Sequence, residues 1–517
     1  MNFKQTKTWS QIQDYFQSIK DKNLIEFFDK KRLDYTTFDF NGIYFDFSKN
    51  YIDKKLIDLF VSLAEEIDLS RAIEEMFQGK KINFTENRAV LHTALRSQSA
   101  TEIIVDNKNI IPLIHQTNKK IKRFTKKVID GQWKGFTGKK ITDIVNIGIG
   151  GSELGPKMIV RALKPYRNHL NIHYLSNIDP NQLDELSEKI DIETTLFIIV
   201  SKSFSTIETL TNAKSLQKIY HKNFIAKHFV TVSTQVEKAV EFGIAPENIF
   251  PMWDWVGGRF SLWSPAGISI PLAIGFDNFQ KLLKGAYRMD EYFRKTKFKE
   301  NIPFIASILS IIYNNLFEFE TETYIPYTEK LKYLPDFLQQ LLMESNGKSI
   351  DKQGDKVNYQ TGQIVWGNIG TNAQHSFFQL LHQGTKKVPV HFIGELKNTY
   401  TSFSTQHLML LSNMIAQAEA LMKGEKNENH YKNFEGNRPS TTILFDEIKP
   451  EYLGSLIAYF EHITFLQGIF WDINSFDQFG VELGKKLAQK IYSETKEMNI
   501  SNTHDPSTKF LMKKLME

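Results

Sequence analysis

A buried strand, a loop of small residues and then a helix follow one another repeatedly in this chain, and that order narrows its folds more than any other feature. Ile144 to Ile147 is a short apolar run that leads into Gly148-Ile149-Gly150-Gly151-Ser152 and a helix-like stretch from Leu154 to Leu163. Thr195 to Val200 is a second such run, followed by Ser201-Lys202-Ser203-Phe204-Ser205-Thr206 and more helical sequence. A further alternating unit comprises the strand-like Gln363 to Trp366, the helix-like Thr371 to His382 and the strand-like Pro389 to Gly394, with a strong helix from Leu408 to Met422. Strands alternating with helices predict an α/β protein, with parallel sheets covered by helices on both faces.

Outside these units the pattern is helical. The first hundred or so residues carry apolar side chains at helical spacing, as in Lys55 to Asp68. The stretch from Phe279 to Ser345 is expected to be long helices, and the chain to end in a helix from Val481 to Glu494 and a polar tail. The lysine-rich run Lys119 to Lys127 fits a solvated helix face. At 517 residues the chain is too long for one core and calls for two domains or three. The changes of pattern place boundaries near residues 115 and 275.

Composition removes several function classes. With 64 basic and 59 acidic residues the formal charge is only +5, which gives no reason to expect a nucleic-acid or membrane partner. There is no cysteine, so disulfides and thiolate chemistry are excluded. Met1-Asn2-Phe3-Lys4-Gln5 lacks the apolar core of a signal peptide, and no apolar run reaches the roughly 18 residues of a membrane span, so the cytoplasm is the expected compartment. His169 and His173 have His-x-x-x-His spacing, but they lack the adjacent glutamate of a zinc protease and fall on a predicted strand, which favours a structural pair over a metal site.

Both loops suit a phosphate. The first has the strand–loop–helix order that turns backbone N–H groups toward an anion. It is not a dinucleotide fingerprint, since Glu153 stands where a third glycine is required, nor a P-loop, since no Lys-Ser/Thr pair closes it. Alone it is as well explained by a structural turn. The second loop offers four hydroxyls, Ser201, Ser203, Ser205 and Thr206, whereas capping the following helix needs only one.

These loops resemble the sugar-phosphate loops of the phosphoglucose isomerase family. Asp254-Trp255-Val256-Gly257-Gly258-Arg259-Phe260-Ser261-Leu262 and Phe476-Asp477-Gln478-Phe479-Gly480-Val481-Glu482-Leu483-Gly484-Lys485 resemble its two sequence signatures. Thr85 to His92, Met343 to Lys348, Gly370 to Lys386 and Gly436 to Pro439 agree in order, so the likeness runs from about residue 80 to residue 490. Departures are Glu153 for the usual Asp, Ser203 and Ser205 for threonines, Ile207 for Gln, Ala373 for Gly, and an altered Ser264-Pro265-Ala266-Gly267.

The resemblance implies two doubly wound sugar-isomerase-type (SIS) domains, each a three-layer α-β-α sandwich, with helical N- and C-terminal extensions. The expected division is 1–114 for the N-terminal segment packed on the second domain, 115–275 for the smaller domain with the phosphate loops, 276–485 for the larger, and 486–517 for a tail that embraces a partner subunit. It implies aldose–ketose isomerisation of glucose 6-phosphate and fructose 6-phosphate without a metal or other cofactor. Glu344 would shuttle the proton, Arg259 would stabilise the enediolate, and His375, oriented by Glu208 and assisted by Lys485, would open the sugar ring. Gly151, Ser152, Ser201, Lys202, Ser203 and Thr206 would hold the phosphate, with Gln340 and Gln478 on the sugar phosphate. The family supplies the histidine from the neighbouring subunit, so a homodimer with shared active sites is expected. The rival readings are an isomerase that also takes mannose 6-phosphate, and a catalytically silent sugar-phosphate sensor.

From the residues alone, Glu344 lies four positions after Gln340 on one helical face, with Asn346-Gly347 as a helix stop. Gly257 and Gly258 before Arg259 permit close backbone approach.

Overall fold

The computed structural model describes residues 3–99, 101–219, 222–399 and 402–517. It divides into two compact units, one ending at Ser475 and the other spanning Phe476–Glu517. In chain order the strands are β1 (Thr37–Asp39), β2 (Ile43–Asp46), the short pair β3 (Ile104–Val105) and β4 (Lys108–Asn109), then β5 (Asp143–Ile147), β6 (Asn171–Leu175), β7 (Thr195–Val200), β8 (Phe229–Ser233) and β9 (Ile249–Pro251). They continue with β10 (Thr321–Pro326), β11 (Ile364–Gly367), β12 (Val390–Glu395) and β13 (Ser440–Phe445).

Five of these form an all-parallel sheet in the order β6-β5-β7-β8-β9. Every residue of β5, β7 and β8 is buried, as befits strands covered on both faces. Val145, Ile147, Phe197, Ile199 and Phe229 meet Ala213 and Leu216 of the helix Ile207–Gln217 in one core. From β5 the chain crosses to one side for β6 and to the other for β7. This leaves a crevice at the C-terminal ends of β5 and β7, the switch point at which open α/β sheets bind ligands. The two hydroxyl- and glycine-bearing loops leave the sheet at that crevice.

The second sheet has the order β1-β2-β13-β12-β10-β11. Its strands β10 to β13 are parallel and repeat the first sheet's winding, with β10 between β11 and β12. Ile325, Tyr327, Phe392, Met414, Ala418 and Leu421 form its core. Two doubly wound α/β sheets are therefore present, as the sequence pattern predicts.

The sequence reading differs from the structure in two places. The N-terminal segment is not wholly helical: β1 and β2 form a hairpin, and β2 pairs antiparallel with β13. Asn41 and Gly42, both at positive φ (52° and 85°), make its turn, the type that matches the twist of two antiparallel strands. The helical stretch 279–345 contains β10, the strand on which the second sheet's winding turns. The C-terminal tail is helical, as the resemblance implies: Asp505 caps the helix Pro506–Met516 by accepting from the Ser507 and Thr508 N–H groups. In that unit, Glu494 of the helix Glu482–Lys496 accepts from Ser501 N and pairs with His504. Among the described residues no helix is long and apolar enough to cross a membrane.

Candidate active site

The loop after β5 is tied to its own strand. The buried Asn146 donates through Nδ2 to Ser152 O at 3.0 Å, so the strand end fixes the loop's return. Gly151 is required by contact: a Cβ there would lie 2.0 Å from Gly258 O and 2.7 Å from Arg259 N. The close approach expected of Gly257 and Gly258 is thus exacted at Gly151, while a Cβ on Gly258 meets nothing within 4 Å. Gly150, at φ 63°, faces Gln340, whose Nε2 would be 3.0 Å from a Cβ placed there. Glu153 is long enough to pair with Lys157 one turn on, at 2.9 Å.

The loop after β7 is held by the carbonyl of Lys202, which accepts from Thr234 N (3.0 Å), Thr234 Oγ1 (2.8 Å) and Ser233 Oγ (3.1 Å). Its hydroxyls pair with one another: Ser201 Oγ with Thr206 Oγ1 at 3.2 Å, and Ser203 Oγ with Ser205 Oγ at 2.6 Å. Thr206 is the N-cap residue of the helix Ile207–Gln217, yet its side chain makes no capping bond. The hydroxyls are therefore not consumed by capping. Phe204, buried at φ 46°, is a strained position within this loop. The Lys202 ammonium lies 3.2 Å from both Asp254 O and Val256 O, and burial holds its pKa below the usual lysine value against the opposing pull of Asp254.

Glu344 and Arg259 meet beside the first loop. Leu334–Leu338 runs into a π-helical turn, Gln339–Glu344, which brings Gln340 Nε2 to 3.1 Å from Glu344 Oε2. A π-turn inside a helix often marks a functional site. Arg259, second residue of the 3₁₀ helix Gly258–Trp263, is 2% exposed. It donates through Nη1 to Glu344 Oε2 (3.3 Å), through Nε to Ser345 Oγ (2.6 Å) and through Nη2 to Ser475 O (2.6 Å). The Glu344 side chain remains 22% exposed, so a ligand can reach it. A fixed cation and a reachable carboxylate thus face one another next to the loop after β5.

Ser345 and Ser475, which the sequence does not single out, hold the Arg259 guanidinium in place. Ser345 lies in the segment Met343 to Lys348 beside Glu344; Ser475 carries no local signal. Asn346 ends the helix as expected, but it is also a buried junction. Its Nδ2 donates to Thr464 O and Gln467 Oε1, and its Oδ1 accepts from Ser475 Oγ at 2.6 Å. Lys348 points its ammonium at the carbonyls of Glu344, Ser345 and Asn474. It thereby caps the helix end.

Glu208 and His375 stay apart, and two further expected site residues fall in the second unit. Glu208 lies half-buried in the first turn of Ile207–Gln217, and His375 is exposed at the end of the short helix Gly370–Gln374; no hydrogen bond joins the two. Gln478 and Lys485 belong to the unit Phe476–Glu517, where Lys485 is exposed on the first turn of its helix. His173 lies on β6 and bonds Asp143 Oδ1 of β5 at 2.9 Å, a structural use. A cavity of about 630 Å³ opens beside Glu74, Tyr287 and Arg294. None of the site residues lines it, and the site is located by its converging polar groups instead.

Sequence and fold comparisons point to one family. The chain matches the family described as phosphoglucose isomerase over residues 46–512. It is 47% identical to a glucose-6-phosphate isomerase of Christiangramia forsetii across 98% of each chain. It is 48% identical to a glucose-6-phosphate isomerase of Wigglesworthia glossinidia brevipalpis across 99% of this chain and 98% of the relative. The crystal structure of a glucose-6-phosphate isomerase from Chlamydia trachomatis superposes with a TM-score of 0.89, at 33% identity and 99% coverage of both chains. The chain belongs to the phosphoglucose isomerase family.

Proposed function

We propose that this chain is a glucose-6-phosphate isomerase, interconverting glucose 6-phosphate and fructose 6-phosphate as a step of glycolysis and gluconeogenesis in the cytoplasm. The observation that carries the reading is the meeting of Glu344 with Arg259 and Gln340 beside Gly150-Gly151. The phosphate is held by the hydroxyls of Ser152, Ser201, Ser203 and Thr206 and by the N–H groups of Gly151 and Lys202, with Gln340 and Gln478 on the sugar phosphate. Hydroxyls and free amides are what a phosphate dianion takes.

After ring opening, Glu344 removes the proton from carbon 2 of the aldose and returns it to carbon 1, while a hydroxyl proton passes from oxygen 2 to oxygen 1. Arg259 offsets the negative charge that develops on the enediolate, and being already fixed it pays no reorganisation in the transition state. Ring opening falls to His375 of the partner subunit, with Glu208 orienting the imidazole and Lys485 near the ring oxygen. The exposure of His375, and of Leu408, Met409 and Ile415 on the helix Ser404–Lys423, supports a surface covered by a second copy. No cofactor or metal enters this scheme. We place the domain limits at 115–275 and 276–485, with 1–114 and 486–517 flanking them.

The test is conversion of fructose 6-phosphate to glucose 6-phosphate, coupled to a dehydrogenase in the presence of chelator, with Glu344→Gln as control. Turnover that persists in chelator and falls about 1,000-fold or more in the variant is expected, with substrate binding retained. No turnover in a folded preparation that still binds the sugar phosphate would make the chain a sensor. The shared site has its own test. His375→Ala and Glu344→Gln chains, each inactive, are unfolded together and refolded. Half the dimers are then mixed, each with one intact site, so about a quarter of the original activity should return. Sites built within one chain would regain none.

A further inference from the structure

Arg259 is the second residue of a six-residue 3₁₀ helix, a short element with little hold of its own. In such a helix residues three apart lie on one edge, which aligns Phe260 with Trp263 and turns Arg259 elsewhere, toward Glu344. That Phe260–Trp263 edge is where the rest of the protein grips it. The Phe260 ring stacks on His92 with centroids 4.7 Å apart. The Trp263 indole N–H donates to Glu461 Oε1 at 2.8 Å, and the Arg96 guanidinium lies over the indole at 4.7 Å.

Behind Trp263 is a closed set of charges. Arg96 is bound through two nitrogens to Asp290, at 2.8 and 2.7 Å, and also to Glu461 Oε2. His462 Nε2 meets Asp290 Oδ1 at 2.8 Å, and His92 Nε2 lies 3.9 Å from Glu461. Arg96, Glu461 and His462 have no exposed surface, and Asp290 and His92 have 1% each. A buried ion network of this kind is a poor source of net stability, because desolvation offsets the attraction. It supplies fixed geometry instead. Glu461 comes from the buried helix Pro450–Phe470, Asp290 from Phe276–Lys295, and Arg96 and His92 from the segment that precedes both helices in the chain, so three separate elements, Asp290 through Arg96, brace one indole.

We propose that Trp263 is a positioning residue for Arg259: its hydrogen bond to Glu461, braced by Arg96 and Asp290, sets the height and rotation of the 3₁₀ turn from which Arg259 reaches the reacting sugar. The inference rests on the isomerase reading, and its failure is separable from the failure of that reading, because turnover by the unsubstituted chain is measured first.

The experiment compares Trp263→Phe with the unsubstituted full-length protein in three readouts: kcat and KM for fructose 6-phosphate, affinity for a hydroxamate sugar phosphate that mimics the enediolate, and thermal unfolding. A phenyl ring fills most of the same space and keeps a face for Arg96, but it cannot donate to Glu461. The expected result is kcat lower by about tenfold and hydroxamate binding weaker by a similar factor, with KM within about twofold. A variant that melts earlier yet keeps kcat and hydroxamate affinity would overturn the proposal and leave Trp263 a packing residue. Tyr313→Phe removes another buried bond, from Tyr313 Oη to Asn50 Oδ1 at 2.8 Å, away from the 3₁₀ helix. It should destabilise without touching kcat, and an equal kcat loss there would also overturn the proposal. If Trp263→Phe does not fold, Glu461→Asp withdraws the acceptor by one methylene and keeps the charge facing Arg96. The same kcat-without-KM loss supports the inference in that variant, and an unchanged kcat refutes it.

Discussion

The parallel strands of the two sheets wind in the same way, yet the strand ends at their central crevices carry different side chains. In the first sheet the loops leaving β5 and β7 present glycines, backbone amides and hydroxyls that bond only one another. In the second, the corresponding place between β10 and β12 is filled from within. Lys330, just past β10, donates to both oxygens of Glu395 at the end of β12, each at 2.8 Å, and Ile448 N donates to the same carboxylate at 2.7 Å. Glu395 is 1% exposed. The comparison teaches that topology offers a ligand site wherever the winding reverses, and that the side chains at the strand ends decide whether it stays open.

Two experiments bear on that contrast. The larger effect is expected where the crevice is open. Ser201→Ala with Thr206→Val removes two hydroxyl donors from the loop proposed to hold the phosphate. It should raise KM for fructose 6-phosphate roughly 100-fold, since hydrogen bonds to a charged group are each worth about 1.5–3 kcal/mol. Steady-state kinetics with inorganic phosphate as competitor would check this, and an unchanged KM would remove the loop from the phosphate site. The smaller effect is expected where the crevice is closed. Glu395→Gln removes the buried carboxylate charge that accepts from Lys330 and Ile448 N and should cost about 2 kcal/mol of stability in denaturant unfolding, with kcat and KM unchanged. A rise in KM matching that of the first variant would mean that the second crevice also serves the substrate.

Much of this contrast was legible in the sequence, and its gaps have physical causes. β5, β7 and their loops could be read because a strand covered on both faces is a continuous apolar run, which helices of surface proteins rarely show. β10 plays the equivalent part in the second sheet but contains Glu322, buried at 3% exposure and bonded to His391 and Tyr324. A carboxylate whose partners lie elsewhere breaks the apolar run, and the strand was read as helix. The hairpin did carry its signal, Asn41-Gly42 between alternating aromatics, and helical spacing around it masked that signal. Within the site, the meeting of Glu344 and Gln340 followed from their spacing. The hold of Ser475 on Arg259 did not, because 216 residues separate the two. His375 and Glu208 do not meet within one chain, so spacing along that chain could not pair them.

The hairpin at β1–β2 has a consequence in time. Residues 43–46 leave the ribosome early, but their partner strand, residues 442–445, is made almost 400 residues later. At typical synthesis rates that delay is roughly 20–80 seconds. Throughout it, the rim of β2 that faces away from β1 has no native strand to pair with, which is the condition under which nascent chains stick to one another. The first sheet, whose strands span only residues 143–251, is complete long before. The loops after β5 and β7 can therefore form co-translationally, whereas the second sheet must wait for the end of synthesis, and a nascent-chain chaperone would find its client at the N-terminal hairpin.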